Sequence, residues 1–130
     1  MSNFKNLIDA LESKSGENIT ELDLKDKGAL ADTFILVTGN SETHMKTLAE
    51  TAEEVLEKSG RKCRLEGENS IRWRLIDAGD VVVHIFSHKG REFYRLEKLW
   101  NLFLYFYFLF LIPAIPEQRF YFRDEYYFFR

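Results

Sequence analysis

The turn between the second predicted strand and the helix after it has residues that could hold a phosphate. Gly39, Asn40 and Ser41 lie where the N–H groups of a helix N-terminus can face an anion. The glycine patterns of dinucleotide-binding folds and P-loops are absent. Nucleotidyl transfer would also need two carboxylates one residue apart on a strand, because such side chains point the same way and can hold magnesium together. Glu66 and Glu68 have this spacing but lie at a predicted turn, so the case for nucleotidyl transfer is poor. For residues 39–41 we favour a plain strand-to-helix turn.

Metal binding and nucleophilic catalysis have equally weak support. His84 and His88 are four residues apart, but this spacing suits a metal only on a helix, where both rings share a face. Because the segment begins as a predicted strand, His84 is interpreted as a core histidine. Cys63 is the only cysteine, which excludes an internal disulfide and a cysteine-based zinc site. We therefore predict no metal, no cofactor and no catalytic residue.

Trp73 is the most informative single residue of the sequence. It alternates with arginines, together with Ile71 and Leu75, and this pattern favours the core of a sheet. The alternative is an exposed anchor, because tryptophan dominates interface hot spots.

Asp77 and Asp80 flank a predicted hairpin turn, where aspartate hydrogen-bonds to nearby backbone. We favour the turn role for Asp80, whereas Asp77 suits a surface contact equally well.

Length and charge restrict the class of protein. At 130 residues the chain fits one domain. No secretory signal precedes the first amphipathic segment, and the lone cysteine fits a reducing compartment, so we expect a cytoplasmic protein. The charges of residues 101–130 cancel, so the formal net charge of −3 belongs to residues 1–100. An acidic body suits a basic protein surface better than direct contact with nucleic acid.

The elements that must position these residues follow from periodicity and turn residues. Ser41 is the predicted N-cap of a helix that ends near Gly60. The other predicted elements are helices over 4–14 and 91–100 and strands over 19–24, 34–38, 63–66, 71–75 and 81–86. This order predicts an α/β fold, a single domain with a mixed β-sheet of about five strands and packed helices.

Four segments in consistent order resemble the ribosomal silencing factor family, also called the RsfS or Iojap family. They are LADTFILVTGNSETHMKTLAE at 30–50, LEGENS at 65–70, IRWRLIDAGDVVVHIF at 71–86 and REFYRLEKLW at 91–100. The resemblance covers roughly residues 5–100, and the combination of the last two segments is specific. It implies a nucleotidyltransferase-like sheet without catalytic carboxylates.

The resemblance also implies a partner and a docking surface. Family members bind the fourteenth large-subunit ribosomal protein, a basic protein on the intersubunit face, and so block joining of the small subunit and repress translation when nutrients run short. An aromatic anchor with carboxylates around it would suit such a partner. The residues carried over as partner-binding are Trp73, Leu75, Asp77, Asp80 and Tyr94, with Arg91, Glu92, Lys98 and Trp100 of the last predicted helix. The resemblance thus moves Trp73 toward the interface interpretation.

Residues 101–130 depart from the family, whose members usually end soon after the position of Trp100. Residues 102–112 form an unbroken apolar run, which is shorter than the ~20 residues of a membrane-spanning helix. The run could extend the last helix onto the sheet or onto a second copy, or lie on a membrane surface, although it lacks the polar face that this requires. We favour a third interpretation, a non-native end encoded by A/T-rich DNA past a normal stop.

Two other functions stay open beside translational silencing. A large-subunit assembly factor would use the same docking surface, as organellar relatives are linked to assembly. A nucleotide-dependent transferase would need the magnesium-holding pair that the predicted strands do not supply. The sequence predicts no direct readout of nucleic acid and no membrane association, and it leaves a homodimer open.

Overall fold

The computed structural model describes residues 4–24 and 31–94, and at positions 93 and 94 it describes the backbone alone. The elements are α1 (Lys5–Ser13), β1 (Glu17–Asp23), β2 (Thr33–Thr38), α2 (Glu42–Lys58), β3 (Arg64–Glu66), β4 (Trp73–Asp77), β5 (Val81–Phe86) and α3 (His88–Tyr94). This is the predicted order of helices and strands. No helix of the described ranges is long and apolar enough to cross a bilayer.

The five strands form one mixed sheet in the order β1-β2-β5-β4-β3. The central strands β2 and β5 run parallel, whereas the other three pairs are antiparallel. Both central strands are buried along their whole length. The predicted α/β class and the predicted strands at 34–38 and 81–86 are therefore confirmed, and both strands are covered on both sides.

One face of the sheet packs against α1 and α2, and we call it the helix face. The helices contribute their apolar stripes, since helical spacing brings such residues to one side. The contacting residues are Leu7 and Leu11 of α1, Met45, Leu48, Ala52 and Leu56 of α2, and Ile35, Val37, Ile76, Val83 and Ile85 of the strands. Each fully buried large side chain of this kind stabilises the fold by about 1.5–3 kcal/mol.

The opposite face, which we call the second face, is defined by the strand register. Trp73 pairs with Phe86, and Leu75 pairs with His84. Directly opposite residues share a face. The second face therefore comprises Phe34, Leu36 and Thr38 of β2, Val82, His84 and Phe86 of β5, and Trp73 and Leu75 of β4. All of these residues are buried.

Helix α2 begins and ends where the sequence predicts. The hydroxyl of Ser41 accepts a hydrogen bond from the N–H of His44, as an N-cap does. Gly60 follows the helix with a φ of +91°, a conformation that glycine adopts without steric cost. Both predicted boundary residues are confirmed.

The predicted strand over 71–75 starts too early. Ile71 is 57% exposed and precedes β4, which begins at Trp73. The hydroxyl of Ser70 accepts hydrogen bonds from the N–H groups of Arg72 and Trp73, both at 3.1 Å. This local turn competes with strand pairing and delays the start of the strand.

The last predicted helix starts three residues earlier than expected. Its first turn is capped by Ser87, whose hydroxyl accepts a hydrogen bond from the N–H of Gly90 at 2.9 Å. The prediction that the helix continues to Trp100 lies outside the described residues.

Gly90 allows α3 to approach the chain segment that precedes β4. A Cβ atom at Gly90 would overlap the carbonyl oxygen of Arg72, and that oxygen already accepts the N–H of Ser87 at 3.0 Å. Helix propensity alone predicts that Gly90→Ala stabilises the protein by about 1 kcal/mol. We expect the opposite, a loss of about 1–3 kcal/mol in the free energy of unfolding, because the backbone at Arg72 or in α3 must move to make room for the added methyl group.

Urea unfolding of Gly90→Ala and of the control Lys89→Ala measures this difference. Lys89 is exposed, so its substitution should change stability little. A Gly90→Ala protein as stable as the wild type would contradict the close contact.

Candidate docking site

The strand-to-helix turn at Gly39–Ser41 is held by hydrogen bonds within the chain. The His44 ring accepts the N–H of Asn40 at its Nδ1 (2.8 Å), and its Nε2 lies 2.8 Å from the carbonyl oxygen of Lys14. The ring therefore carries its proton on Nε2 and donates it to that carbonyl. Together with the Ser41 cap, these bonds account for the turn as a structural connection between α1, β2 and α2.

The three histidines lie in two different places. His44 and His88 both lie at this turn, where the Nε2 of His88 is 3.0 Å from the Oδ1 of Asn40. His84 is fully buried in the second face, as predicted for a core histidine. Within residues 4–24 and 31–94, no group of three or more histidine, cysteine, aspartate or glutamate side chains could hold a metal ion.

A hydrogen bond between two aromatic side chains organises the second face. The indole N–H of Trp73 donates to the Nδ1 of His84 at 3.0 Å. Trp73 stacks on Phe86 with 5.3 Å between ring centroids, and Phe34 meets the edge of His84 at 4.5 Å. We call Phe34, Trp73, His84 and Phe86 the aromatic cluster. Buried tryptophan needs a partner for its N–H, and the register of β4 against β5 supplies one.

The environment of His84 keeps its ring neutral. Burial, and next the positive charge of Arg91, lower the pKa of His84 to about 3. Because Nδ1 accepts from Trp73, the single ring proton is on Nε2. Within the described residues this Nε2 has no hydrogen-bond partner. Leaving this buried N–H group without a partner costs about 1–3 kcal/mol of stability.

Trp73 and Leu75 are not exposed in this chain. Their side chains are 0% and 1% exposed, which confirms the core interpretation from periodicity. The exposed aromatic anchor that the resemblance favours at Trp73 is therefore not seen in this structure. The physical reason is the cross-strand pairing that places Trp73 beside Phe86 and His84. A contact role for either residue stays a prediction and would require access to the second face.

The β4–β5 hairpin holds its two carboxylates in ion pairs. Asp80 receives two hydrogen bonds from Arg61, at 2.8 and 2.9 Å, and these bonds are the main cause of the lowered pKa of its carboxyl group. One carboxylate oxygen of Asp77 accepts a hydrogen bond of 2.8 Å from Arg64, and the other accepts a hydrogen bond of 3.0 Å from the N–H of Gly79. Neither arginine was singled out in the sequence, because their pairing depends on the strand register and on the position of α2's end.

The residues predicted on the last helix divide into three groups. Arg91 points inward and donates to the hydroxyls of Thr38 and Thr20, each at 3.0 Å, so it fixes α3 to the end of β2 and the middle of β1. Arg91 thus has an anchoring role within the chain, and its contact with a partner stays a prediction. Glu92 is exposed. The side chain of Tyr94 and the whole of Lys98 and Trp100 lie outside the described residues.

The structure also forms a groove that sequence reasoning missed. It lies between α2 and β3 with a volume of about 560 Å³, and Glu50, Glu53 and Glu68 line it. Burial, followed by repulsion from Glu57, Glu50 and Glu68, raises the pKa of Glu53. The repeated glutamates of α2 were visible in the sequence, but their meeting with Glu68 depends on the fold.

The pKa of His84 predicts how stability depends on pH. The unfolded chain takes up this proton near pH 6.5, whereas the folded protein takes it up only at about pH 3. Between these values the unfolded state binds more protons, so stability is fully present above pH 6.5 and is lost as the pH falls toward 3. We expect a slope approaching ~1.4 kcal/mol per pH unit in urea unfolding below neutral pH.

His84→Gln is the matched variant, because its amide oxygen can still accept the indole N–H but does not titrate. We expect it to be less stable at neutral pH and to show a flatter pH dependence. Equal slopes for the wild type and the variant would contradict the burial of a neutral His84.

Comparison with known proteins places the fold in a family. The family model described as "Ribosomal silencing factor during starvation" matches residues 2–105. A ribosomal silencing factor of Halalkalibacterium halodurans is 40% identical over 95 residues, which cover 72% of this chain and 81% of that protein. The mouse protein named for mitochondrial assembly of the ribosomal large subunit is 25% identical over 100 residues, which cover 74% of this chain and 44% of that protein.

A solved structure agrees with this placement. A crystal structure of a Chromobacterium violaceum protein matches with a TM-score of 0.69 and 38% identity, covering 73% of this chain and 80% of the other. The family match ends at residue 105, so most of the apolar run and everything after it lie beyond the family model. With a family model that spans most of its length and a relative of 40% identity, this chain belongs to the ribosomal silencing factor family.

Proposed function

We propose that this protein binds the large ribosomal subunit in the cytoplasm and represses translation by preventing the small subunit from joining. The partner surface is the fourteenth large-subunit protein, a basic protein of the intersubunit face. The single observation that carries the proposal is the family match over residues 2–105. Binding is expected to need no cofactor and no direct reading of nucleic acid sequence.

The docking surface that we propose is formed by the β4–β5 hairpin, α3 and the second face beneath them. Asp80 and Glu92 are its exposed charged residues among those predicted. The carried-over residues Trp73 and Leu75 lie buried beneath these charged residues, and they would form the apolar centre of the interface if a partner gained access to the second face.

The ion pair of Asp80 is compatible with a basic partner. The side chains of Arg61 and Asp80 are 28% and 45% exposed. Exposed ion pairs contribute only about 0–1 kcal/mol, so an arginine or lysine of the partner can replace Arg61 at low cost. Complementary charge at this rim would increase the association rate and set the orientation of docking.

Charge reversal at Asp80 tests this surface. Asp80→Lys places a second positive charge beside Arg61 and opposite a basic partner. We expect the affinity for purified large subunits, measured by co-sedimentation at low salt, to fall by about tenfold, which corresponds to about 1.4 kcal/mol.

The matched control is Asp9→Lys on α1. Asp9 is likewise an exposed, ion-paired carboxylate, 3.1 Å from Lys5, but it lies outside the proposed surface. Both variants must first show the wild-type circular dichroism spectrum. Equal loss in the two variants would reveal a general charge effect. Loss in Glu50→Lys, with Asp80→Lys unaffected, would move docking to the glutamate-lined groove.

A second candidate function is assembly of the large subunit through the same surface. The similarity to the mouse mitochondrial assembly protein favours it. Depletion of this protein from its cell distinguishes the two roles. An assembly factor predicts accumulation of incomplete large subunits during growth, whereas a silencing factor predicts complete subunits that pair too readily during starvation.

A further inference from the structure

The glutamate-lined groove between α2 and β3 contains a buried arginine with unused hydrogen-bond donors. Arg74 lines this groove and is only 6% exposed. It lies on the helix face, because it alternates along β4 with Trp73 and Leu75 of the second face. A guanidinium has five N–H donors, and the Nε of Arg74 donates to the carbonyl oxygen of Ser70 at 3.0 Å. Within the described residues no second acceptor contacts this side chain, so the four N–H donors of its terminal amino groups are available to the groove.

The available donors of Arg74 favour a ligand that carries an anionic group with two oxygens. Buried polar groups of proteins normally have hydrogen-bond partners. Arginine binds a carboxylate or a phosphate through two parallel N–H···O bonds, which fix the orientation of the bound group. Lys46 lines the same groove and adds a second positive charge, and the hydroxyl of Thr43 and the amide of Asn69 add further donors. These side chains together can hold a carboxylate.

The groove as a whole has the opposite charge. Five glutamates line it against only Lys46 and Arg74, so the charged lining residues sum to −3. Burial, followed by repulsion from Glu57, Glu50 and Glu68, raises the pKa of Glu53, and a cation placed among these carboxylates would relieve the repulsion. A purely anionic ligand is disfavoured by the same charges. The five glutamates are Glu42, Glu50, Glu53, Glu66 and Glu68.

The basic and acidic parts of the groove lie at different positions along α2. Arg74 belongs to the row of the sheet that contains Ile85 and Val37, next to the row that ends β2 and leads into α2. The basic pair therefore lies toward the start of α2. From Lys46 to Glu53 the helix axis rises about 10 Å. An extended molecule with opposite charges at its two ends matches this arrangement.

We propose that the groove binds a basic α-amino acid, a zwitterion with a carboxylate at one end and an ammonium group at the end of a long side chain. The carboxylate accepts hydrogen bonds from Arg74, and the ammonium group lies among Glu50, Glu53 and Glu68. The groove volume of about 560 Å³ is within the range of small-molecule sites. This proposal concerns the groove alone and does not rest on ribosome binding.

Two other classes of ligand would match only half of the groove. A polyamine would neutralise the glutamates but give Arg74 no acceptor. A phosphate ester would bind Arg74 but add negative charge beside the glutamates. Within residues 4–24 and 31–94, no group of three or more acidic, histidine or cysteine side chains could hold a metal ion that compensates this charge.

Isothermal titration of the full-length chain at low salt tests the proposal with matched ligands. We expect L-lysine to bind with a Kd of about 1 mM or tighter. Cadaverine is lysine without its carboxylate, and norleucine is lysine without its side-chain ammonium group. Each should bind at least about tenfold more weakly than lysine, because each loses one of the two charged contacts. No binding of lysine at millimolar concentration would overturn the proposal. Equal binding of cadaverine would assign the groove to polyamines, and tighter binding of inorganic phosphate would assign it to phosphates, and either result overturns the proposal.

Three variants locate the bound lysine. Arg74→Lys keeps a positive charge but removes the planar fork, and Glu53→Gln removes one of the clustered carboxylates. The control is Glu54→Gln, an exposed glutamate of the same helix that does not line the groove. We expect the first two variants to bind lysine about tenfold more weakly and the control to bind it like the wild type.

Discrimination between ligands separates a contact role of Arg74 from a structural role. Folded Arg74→Lys protein should prefer lysine over cadaverine much less than the wild type does, whereas a general loss of structure would weaken both ligands alike. If Arg74→Lys does not fold, Glu53→Gln and the ligand series on the unaltered chain still decide. Wild-type affinity for lysine in both groove variants, or an equal loss in Glu54→Gln, would overturn the assignment to this groove.

Discussion

Burial of the central strands on both faces is the constraint on which the rest of the structure depends. β2 and β5 have no solvent-facing side, so each of their residues must find an apolar or hydrogen-bonded neighbour. On the helix face α1 and α2 satisfy this need with regular apolar packing. On the second face it is satisfied around a polar pair, Trp73 and His84, whose hydrogen bond fixes β4 against β5. The β4–β5 hairpin and α3 take their positions from that register.

The same constraint links the fold to the proposed docking surface. The hairpin projects from the register of β4 and β5, and Arg61 and Arg64 hold its carboxylates in place. Arg91 fixes α3 to the sheet through two threonines. These contacts hold the hairpin and α3 in place, so little conformational entropy would be lost if a partner docked there.

The sequence predicts the features that depend on local pattern. The apolar runs at 34–38 and 81–86, the cap at Ser41 and the glycine after α2 each follow from the chemistry of neighbouring residues. The start of β4 was missed because the hydroxyl of Ser70 accepts hydrogen bonds from the N–H groups of Arg72 and Trp73. The alternation of apolar and charged residues alone places the start of the strand at Ile71. Features set by long-range register could not be predicted. These include the Trp73–His84 bond, the ion pairs of Asp77 and Asp80, and the inward direction of Arg91.

The family resemblance added the partner class, which no local pattern contains. The burial of Trp73 follows instead from the pairing of β4 with β5. The central claim, that this protein keeps the subunits apart, is tested most directly by a subunit-joining assay. Purified large subunits are incubated with saturating protein, small subunits are added, and joining is followed by light scattering. We predict that joining is blocked, and normal joining would contradict the account.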